Sequence, residues 1–498
     1  MPNHLIDALR AGSRDNMDRV FAYLPDGRAI SFAAFFAGAE RIAAVLQAKG
    51  LKPGDRVAAQ VAKTLEALQL YVGTVTAGGV YLPLNTGYTS AELTHFLTDA
   101  APTIVVCDPA SADDIAHLTD ATLLTLDADG RGTLSDAAGS ETCHVAPVAR
   151  SSADLAAILY TSGTTGKPKG AMLSHGNLAS NSQTLAKLWR FTPEDVLIHA
   201  LPVFHTHGLF VATNVALMSG ASIRFHPGFD AETVLSDMPN ATALMGVPTF
   251  YTRLLQLDGL AEAARTMRLF VSGSAPLLAE THDRWAEVTG HRILERYGMT
   301  ETNMNTSNPY DGERRAGTVG FPLPGVDLRL RDDAGHEVPQ GEPGVVEVRG
   351  PNVFQGYWNL PEKTAEELLP DGFFVTSDIG RIDEDGYLHI IGRAKDLIIS
   401  GGYNVYPKEI ELLIDACAGV SESAVIGVPH ADFGEAVIAV VVPTSDVTPE
   451  AIADEIAPEL ARYKQPKRIV LVDALPRNAM GKVQKNVLRD EYAALFTS

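Results

Sequence analysis

The stretch YTSGTTGKPKG, residues 160–170, packs three glycines, two lysines and four serines or threonines into one turn-prone segment, behind a strand-like run, AAILYT at 156–161. Glycines let the backbone approach an oxyanion, hydroxyls and exposed N–H groups donate to it, and lysines offset its charge. These are the parts of a polyphosphate cradle rather than of a plain surface turn. The spacing is not that of a P-loop. Gly163 and Gly166 are only three apart, and Lys167 is followed by Pro168, where G-x-x-x-x-G-K-[ST] needs a hydroxyl. A G-x-S-x-G nucleophile elbow is absent here and from VSGSAPL at 271–277. The ordinary NTPase and serine-hydrolase readings are thereby set aside.

Around the loop, short β-rich runs alternate with helical patterns. RVAAQV (56–61), TIVVCD (103–108), SIRFH (222–226) and LFVSGS (269–274) read as strands, and TLEALQLYVGTVTAGG (64–79) and SAELTHFLTDA (90–100) as helices packed on a sheet. Such alternation predicts an α/β architecture. From about residue 316, stretches rich in glycine, proline and valine predict a small β subdomain reaching to about 392. GYLHIIGRAKDLIISGGYNVYPKEIELLI (386–414) then reads as two short strands, a glycine turn and a helix. ESAVIGV, AVIAVVVP, AIADEIAPELARY and KRIVLVD give the tail a further βαβ-like texture. A boundary near Gly392 to Asp396 divides the chain into residues 1–392 and a small α+β domain, 393–498.

With 498 residues, 46% of them apolar, the chain can bury more than one core. Forty lysines and arginines against 61 aspartates and glutamates give a net charge of −21, which argues against a general nucleic-acid or anionic-membrane surface. An anionic substrate must therefore find a local exception. Cys107, Cys143 and Cys417 lie far apart, without zinc-site or disulfide spacing, and read as free thiols in a reducing compartment, the cytoplasm by default. The N-terminus lacks a signal-peptide pattern, and no stretch approaches 18 uninterrupted apolar residues, so no membrane partner is expected. The sequence assigns no oligomeric state.

Further motifs follow in order: PVFHTHGL (202–209), SGSAP (272–276), YGMTE (297–301), TSDIGRID (376–383), GRAKDLIISGGYNVYPKEIE (392–411) and PRNAMGKVQK (476–485). With the loop at 160–170 they closely resemble, over nearly the whole chain, the adenylate-forming superfamily of acyl-CoA synthetases, peptide-synthetase adenylation domains and luciferases. The resemblance implies a large N-terminal domain of two α/β sheets plus a small β-barrel, and a mobile C-terminal domain. It also implies a reaction in which a carboxylate and ATP form an acyl-adenylate, which then passes its acyl group to a thiol. The chain carries no carrier domain after VQKNVLRDEYAALFTS, so CoA is the expected acceptor.

By the same resemblance, Thr161, Ser162, Gly163, Thr164, Thr165, Gly166 and Lys167 would hold the ATP phosphates, with Thr300 beside them. Thr161 and Glu301 would form the magnesium site. Tyr297 would stack on adenine, Ser274, Ala275 and Pro276 would line its edge, and Asp378 with Arg393 would hold the ribose. Lys482 would reach from the small domain to the α-phosphate and carboxylate during adenylation. Its neighbourhood is the local basic exception, with Arg462, Lys464, Lys467, Arg468, Arg477, Lys485 and Arg489 close in sequence. Lys395 takes the hinge position, and Gly401 and Gly402 would let pantetheine approach closely after the small domain rotates.

Substrate choice turns on Arg296, in ILERYGMTETNM (293–304). Relatives acting on aryl or fatty acids usually have a small neutral residue before the tyrosine of this motif. A guanidinium on the acyl-pocket wall is costly unless it meets a second carboxylate, which it fits bidentately. A short dicarboxylate is therefore expected. ERYGMTETNMNTSNPYDG and FHTHGLF resemble the malonate-activating branch of the superfamily. That branch implies malonate, or methylmalonate if Met304 leaves room, with Arg296 and Ser274 on the distal carboxylate, Thr206 and Met304 beside the α-substituent, and His205 next to the reacting carboxylate. His207 reads equally as a pocket or a packing residue, and succinate is not separated from malonate by spacing. The competing readings are an aryl or medium-chain monocarboxylate with a structural Arg296 paired to Glu295, a carrier-loading adenylation enzyme, and a silent nucleotide-binding regulator. The last is disfavoured by the presence of Lys482, Glu301 and the phosphate loop together.

Overall fold

The computed structural model describes residues 2–140, 145–161, 168–332, 334–393, 396–400, 403–430, 433–460, 462–478 and 481–496. The alternating pattern resolves into four sheets. The first has six strands in the order Thr122–Thr125, Ile104–Cys107, Arg56–Gln60, Val80–Pro83, Leu155–Thr161 and Lys169–Ser174, parallel except for the last pair. Every residue of Val80–Pro83 and Ile104–Cys107 is buried, as continuous apolar runs require in a parallel sheet covered on both faces.

The second sheet has nine strands, in the order Phe321–Pro322, Asn303–Ser307, Leu294–Met299, Leu269–Ser272, Ala243–Gly246, Val196–His199, Ser222–Phe225, Val20–Tyr23 and Ala29–Ser31. Its middle six strands are parallel, with antiparallel pairings at both edges. Side-chain caps start the covering helices. Thr64 accepts the Ala67 N–H ahead of Leu65–Thr76, and Thr89 and Glu92 form a reciprocal capping box ahead of Ser90–Ala100.

One contiguous core, including Tyr71, Trp189, Phe270 and Trp285, runs beneath both large sheets and reaches Val346, Val348 and Leu388 of a third sheet. That sheet is the small β unit, four antiparallel strands in the order Asp327–Arg331, Gly344–Arg349, Phe374–Ile382 and Leu388–Arg393.

The last sheet orders Tyr403–Val405, Ile398–Ser400, Gly434–Pro443 and Val420–His430, with Arg468–Leu471 pairing on Gly434–Pro443. It has apolar clusters of its own on both faces, led by Ile398, Ile410, Ile414 and Val437 on one and by Ile426, Ile438 and Leu488 on the other. The tail holds the expected βαβ unit with one further strand beside it. Val420–His430 and Gly434–Pro443 pair antiparallel, because so short a connection cannot make a parallel crossover. Gly434–Pro443, helix Pro449–Ile456 and the parallel strand Arg468–Leu471 do form that unit. Among the described residues no helix is long and apolar enough to cross a membrane. Cys107 and Cys417 are buried free thiols, and Cys143 lies outside the described residues.

Candidate active site

The parallel strands of the nine-stranded sheet deliver their carboxyl ends to one crevice, where ligands of open α/β sheets usually bind. Past Val196–His199 come His205 to His207, past Leu269–Ser272 come Gly273 to Pro276, and Leu294–Met299 carries Arg296. Period-2 alternation along that strand sends Glu295 and Arg296 to opposite faces. Arg296 is 3% exposed, and its Nε and Nη2 have no hydrogen-bond partner among the described residues. Burial pulls its pKa down to about 10, against the weaker support of Tyr251 and Glu295. Glu295 cannot neutralise it. Burial lifts the Glu295 carboxyl to about 8, leaving it mostly protonated at neutral pH, and its Oε1 accepts the Leu277 N–H at 3.2 Å. The pairing of Arg296 with Glu295 is thus set aside.

The guanidinium lies against Gly273, where a Cβ would come within 2.4 Å of Arg296 Cζ. Ser274 follows with φ +70°, a left-handed conformation that side-chain-bearing residues rarely hold outside functional sites. Its Oγ is 3.3 Å from His207 Nδ1, while the buried His207 Nε2 and Thr206 Oγ1 have no partner among the described residues. Met304 is buried, its backbone clamped by Asn181, which donates to Met304 O at 2.8 Å and accepts from Met304 N at 3.2 Å. The pocket therefore gathers Arg296, His207, Thr206 and Ser274 as polar groups with bonding capacity to spare. His207 is buried, with Nδ1 facing Ser274 and Nε2 without a partner among the described residues.

Thr161 and Lys169 are paired where the antiparallel strands Leu155–Thr161 and Lys169–Ser174 end and begin. Ser162, Gly163, Thr164, Thr165, Gly166 and Lys167 lie outside the described residues, as do Lys395, Gly401 and Gly402. Glu301, 5% exposed, accepts hydrogen bonds from Thr161 Oγ1 at 3.2 Å and Tyr357 OH at 3.1 Å. Burial raises its carboxyl pKa. Tyr297 OH donates to Asp378 Oδ2 at 2.5 Å and Arg393 Nε meets Asp378 Oδ1 at 2.9 Å. Both carboxylate oxygens retain lone pairs for further donors. Thr300 and Ala275 are half-buried and Pro276 is exposed, so all three border accessible space.

Lys482 comes from the C-terminal piece. The residue is exposed, yet its ammonium is drawn down to about 8 by burial, then by Arg393 and Arg296, with Asp378 and Glu301 opposing. It therefore feels charges from both Arg296 and the Asp378–Arg393 pair. Burial, helped by Lys482 and Arg296, drives His205 to about 3, so its imidazole is neutral. The basic neighbourhood of Lys482 is less open than its sequence implies. Lys464 pairs with Glu409, Arg477 with Glu422, Lys485 with Glu411 and Arg489 with Asp396.

Three contributors were given no individual role by sequence reasoning. Tyr357 bridges Glu301 and Glu367, Lys169 lies 4.0 Å from the Tyr357 ring centroid and 3.3 Å from Glu367, and Gly273 makes room for Arg296. Gly273 lies inside SGSAP and Lys169 inside YTSGTTGKPKG, so both were within reach of the motifs; Tyr357 depends on folding alone.

A family model described as AMP-binding enzyme matches residues 9–358, and one for the AMP-binding enzyme C-terminal domain matches 409–482. A malonate–CoA ligase of Arabidopsis thaliana is 36% identical, over 88% of this chain and 78% of its own. A feruloyl-CoA synthase of an Amycolatopsis species is equally identical, at 36% over 94% of both chains, so overall identity to these two does not choose the acid. ATP-bound MatB from Rhodopseudomonas palustris superposes with a TM-score of 0.97, at 58% identity over the whole of both chains. Apo MatB, at the same 58% identity and full coverage, gives 0.86. The present arrangement thus follows the ATP-bound form more closely.

Proposed function

This chain belongs to the AMP-binding enzymes, and on that premise we propose that it ligates malonate to CoA through a malonyl-adenylate, giving malonyl-CoA, AMP and pyrophosphate. The observation that carries the choice of acid is Arg296, a buried guanidinium whose Nε and Nη2 have no hydrogen-bond partner among the described residues. A monocarboxylate would leave that charge unpaired; the distal carboxylate of malonate would meet it bidentately. Ser274 and His207 supply further polar contacts, and Thr206 and Met304 bound the α-carbon, where methylmalonate would need extra room.

The near carboxylate then lies between neutral His205 and Lys482. Two anions must meet there, and Lys482 offsets their repulsion as the carboxylate oxygen attacks the α-phosphate and the bond to pyrophosphate breaks. Asp378, Arg393, Tyr297 and the 274–276 backbone hold the nucleoside, and the 161–167 loop with Thr300 holds its phosphates. Glu301 and Thr161 fit magnesium: they are hard oxygen donors, and no group of three or more His, Cys, Asp or Glu able to cage a metal occurs among the described residues. Magnesium usually binds through one or two carboxylates plus substrate phosphates, and when bound it would offset phosphate charge. In the second half-reaction the small domain, residues 393–498, turns about Lys395, withdraws Lys482 and brings 400–404 to the thiol. The buried free thiols Cys107 and Cys417 suit a reducing, cytoplasmic setting. AMP formation with ATP, magnesium and CoA, measured over malonate, methylmalonate, succinate, acetate and benzoate, tests this reading. Acetate or benzoate outrunning malonate would overturn it.

A further inference from the structure

Behind the pocket wall sits a cation that the reaction leaves unused. Lys63 follows Arg56–Gln60 of the six-stranded sheet, and its Nζ reaches His199, the last residue of Val196–His199 in the nine-stranded sheet. It lies 2.9 Å from His199 Nδ1, 2.7 Å from the His199 carbonyl and 5.0 Å from the Phe225 ring centroid. No carboxylate among the described residues comes within ion-pair distance of it, and burial drives its pKa well below the usual lysine value. An ammonium held this way is expensive, and an apolar side chain would fill the space more cheaply. What lysine offers is donors aimed in two directions, and as a neutral amine it still has them.

Those donors fix what His199 can do. With Nδ1 accepting from Lys63, the histidine proton sits on Nε2, which is 3.0 Å from both the Gly208 carbonyl and Thr213 Oγ1. Thr213 Oγ1 donates to the same carbonyl at 2.9 Å. Gly208 directly follows His207 in the first turn of a π-helix, His207–Thr213, a wide coil that is rare and commonly marks functional sites. From its other side the turn is pressed on Pro202, whose carbonyl oxygen would lie 2.0 Å from any Cβ at position 208.

We propose that Lys63 is a positioning residue which, through His199, clamps the Gly208 carbonyl and so holds His205 to His207 at the distance from Arg296 that a malonate-sized diacid requires. The proposal rests on the malonate reading above. Its test is a steady-state comparison of wild type, Lys63→Met, Lys63→Arg and Thr213→Val, with melting temperatures recorded alongside. Lys63→Met should raise the malonate KM roughly tenfold, as loss of a buried hydrogen bond implies, and leave the ATP KM within about twofold. Lys63→Arg, which can donate to both acceptors, should recover most of the loss. If Lys63→Met does not fold, Thr213→Val removes the Thr213 hydroxyl from both His199 Nε2 and the Gly208 carbonyl while leaving the direct His199–Gly208 contact, and the same split is expected at roughly threefold. A malonate KM unchanged in the folded variant, or malonate and ATP KM rising together, overturns the proposal. Wild-type protein inactive on malonate would instead bring down the reading beneath it.

Discussion

Arg296→Met separates recognition from folding, because the two should move in opposite directions. Depression of the Arg296 pKa to about 10 by burial corresponds to roughly 3 kcal/mol spent on keeping the guanidinium charged in the folded protein. The folded value is depressed, so this cost is in full force at every pH below about 10 and is relieved only above it. Methionine fills similar space without charge. The unliganded variant should therefore melt a few degrees higher than wild type. Malonate stands to lose its distal partner, and truncating one side of a buried charged pair costs about 2–5 kcal/mol. That is roughly 30-fold to 5,000-fold in kcat/KM. AMP formation under varied malonate, with thermal melts in the presence and absence of malonate and of ATP, reads both quantities. ATP should stabilise both proteins, and malonate only the wild type. A variant that melts lower and keeps malonate kcat/KM within about threefold would show that Arg296 is structural, and the dicarboxylate argument would fall with it.

The remaining expectations are narrower. Lys482, drawn down to about 8, must be protonated to offset anionic charge, so kcat/KM for adenylation should fall as pH rises through about 8; a limb unchanged in Lys482→Arg would exonerate the lysine. Bound anions raise its pKa, so the limb in kcat should lie at higher pH. Gly273→Ala places a methyl against Arg296 and should cost malonate kcat/KM at least about tenfold with the ATP KM nearly unchanged; full activity would mean that the guanidinium can step aside freely. Glu301→Gln should weaken the magnesium dependence of ATP binding in calorimetry, and an identical dependence would remove Glu301 from the metal site.

The α/β architecture was legible because apolar runs at 56–61, 103–108, 156–161 and 269–274 have strand length and sit between helix-period segments. Composition singled out the segment 160–170, of which 162–167 lie outside the described residues, and a place before a motif tyrosine singled out Arg296. Period-2 alternation could also have parted Glu295 from Arg296 once the strand was drawn. That neither finds a counter-ion depends on everything packed around the strand, which local pattern does not encode. The same holds for Lys63 and His199, 136 residues apart, and for Tyr357 between Glu301 and Glu367. In the tail the texture of AVIAVVVP, AIADEIAPELARY and KRIVLVD was legible as the βαβ unit that forms; that ESAVIGV pairs antiparallel with AVIAVVVP is decided by a short connection, because period and propensity carry no direction.

The placement of charge gives the site its logic. In a protein of net charge −21, cations near the crevice are mostly already paired: Arg393 with Asp378, and Lys169 with Glu367. Arg296 and Lys482 are the described exceptions that reach the acid, and they belong to different parts of the chain. Arg296 is built into a strand of the nine-stranded sheet and cannot leave; Lys482 sits on the C-terminal piece, which the proposed cycle moves away. If the moving lysine also recognised the acid, its withdrawal would release malonyl-adenylate before the thiol arrived. With the distal carboxylate anchored by the fixed arginine, the cation needed for adenylation can depart while the acyl group keeps its place. On the proposed cycle, the cost of burying Arg296 without an ion-pair partner among the described residues would be borne in the empty enzyme and recovered as retention of the intermediate between the two half-reactions.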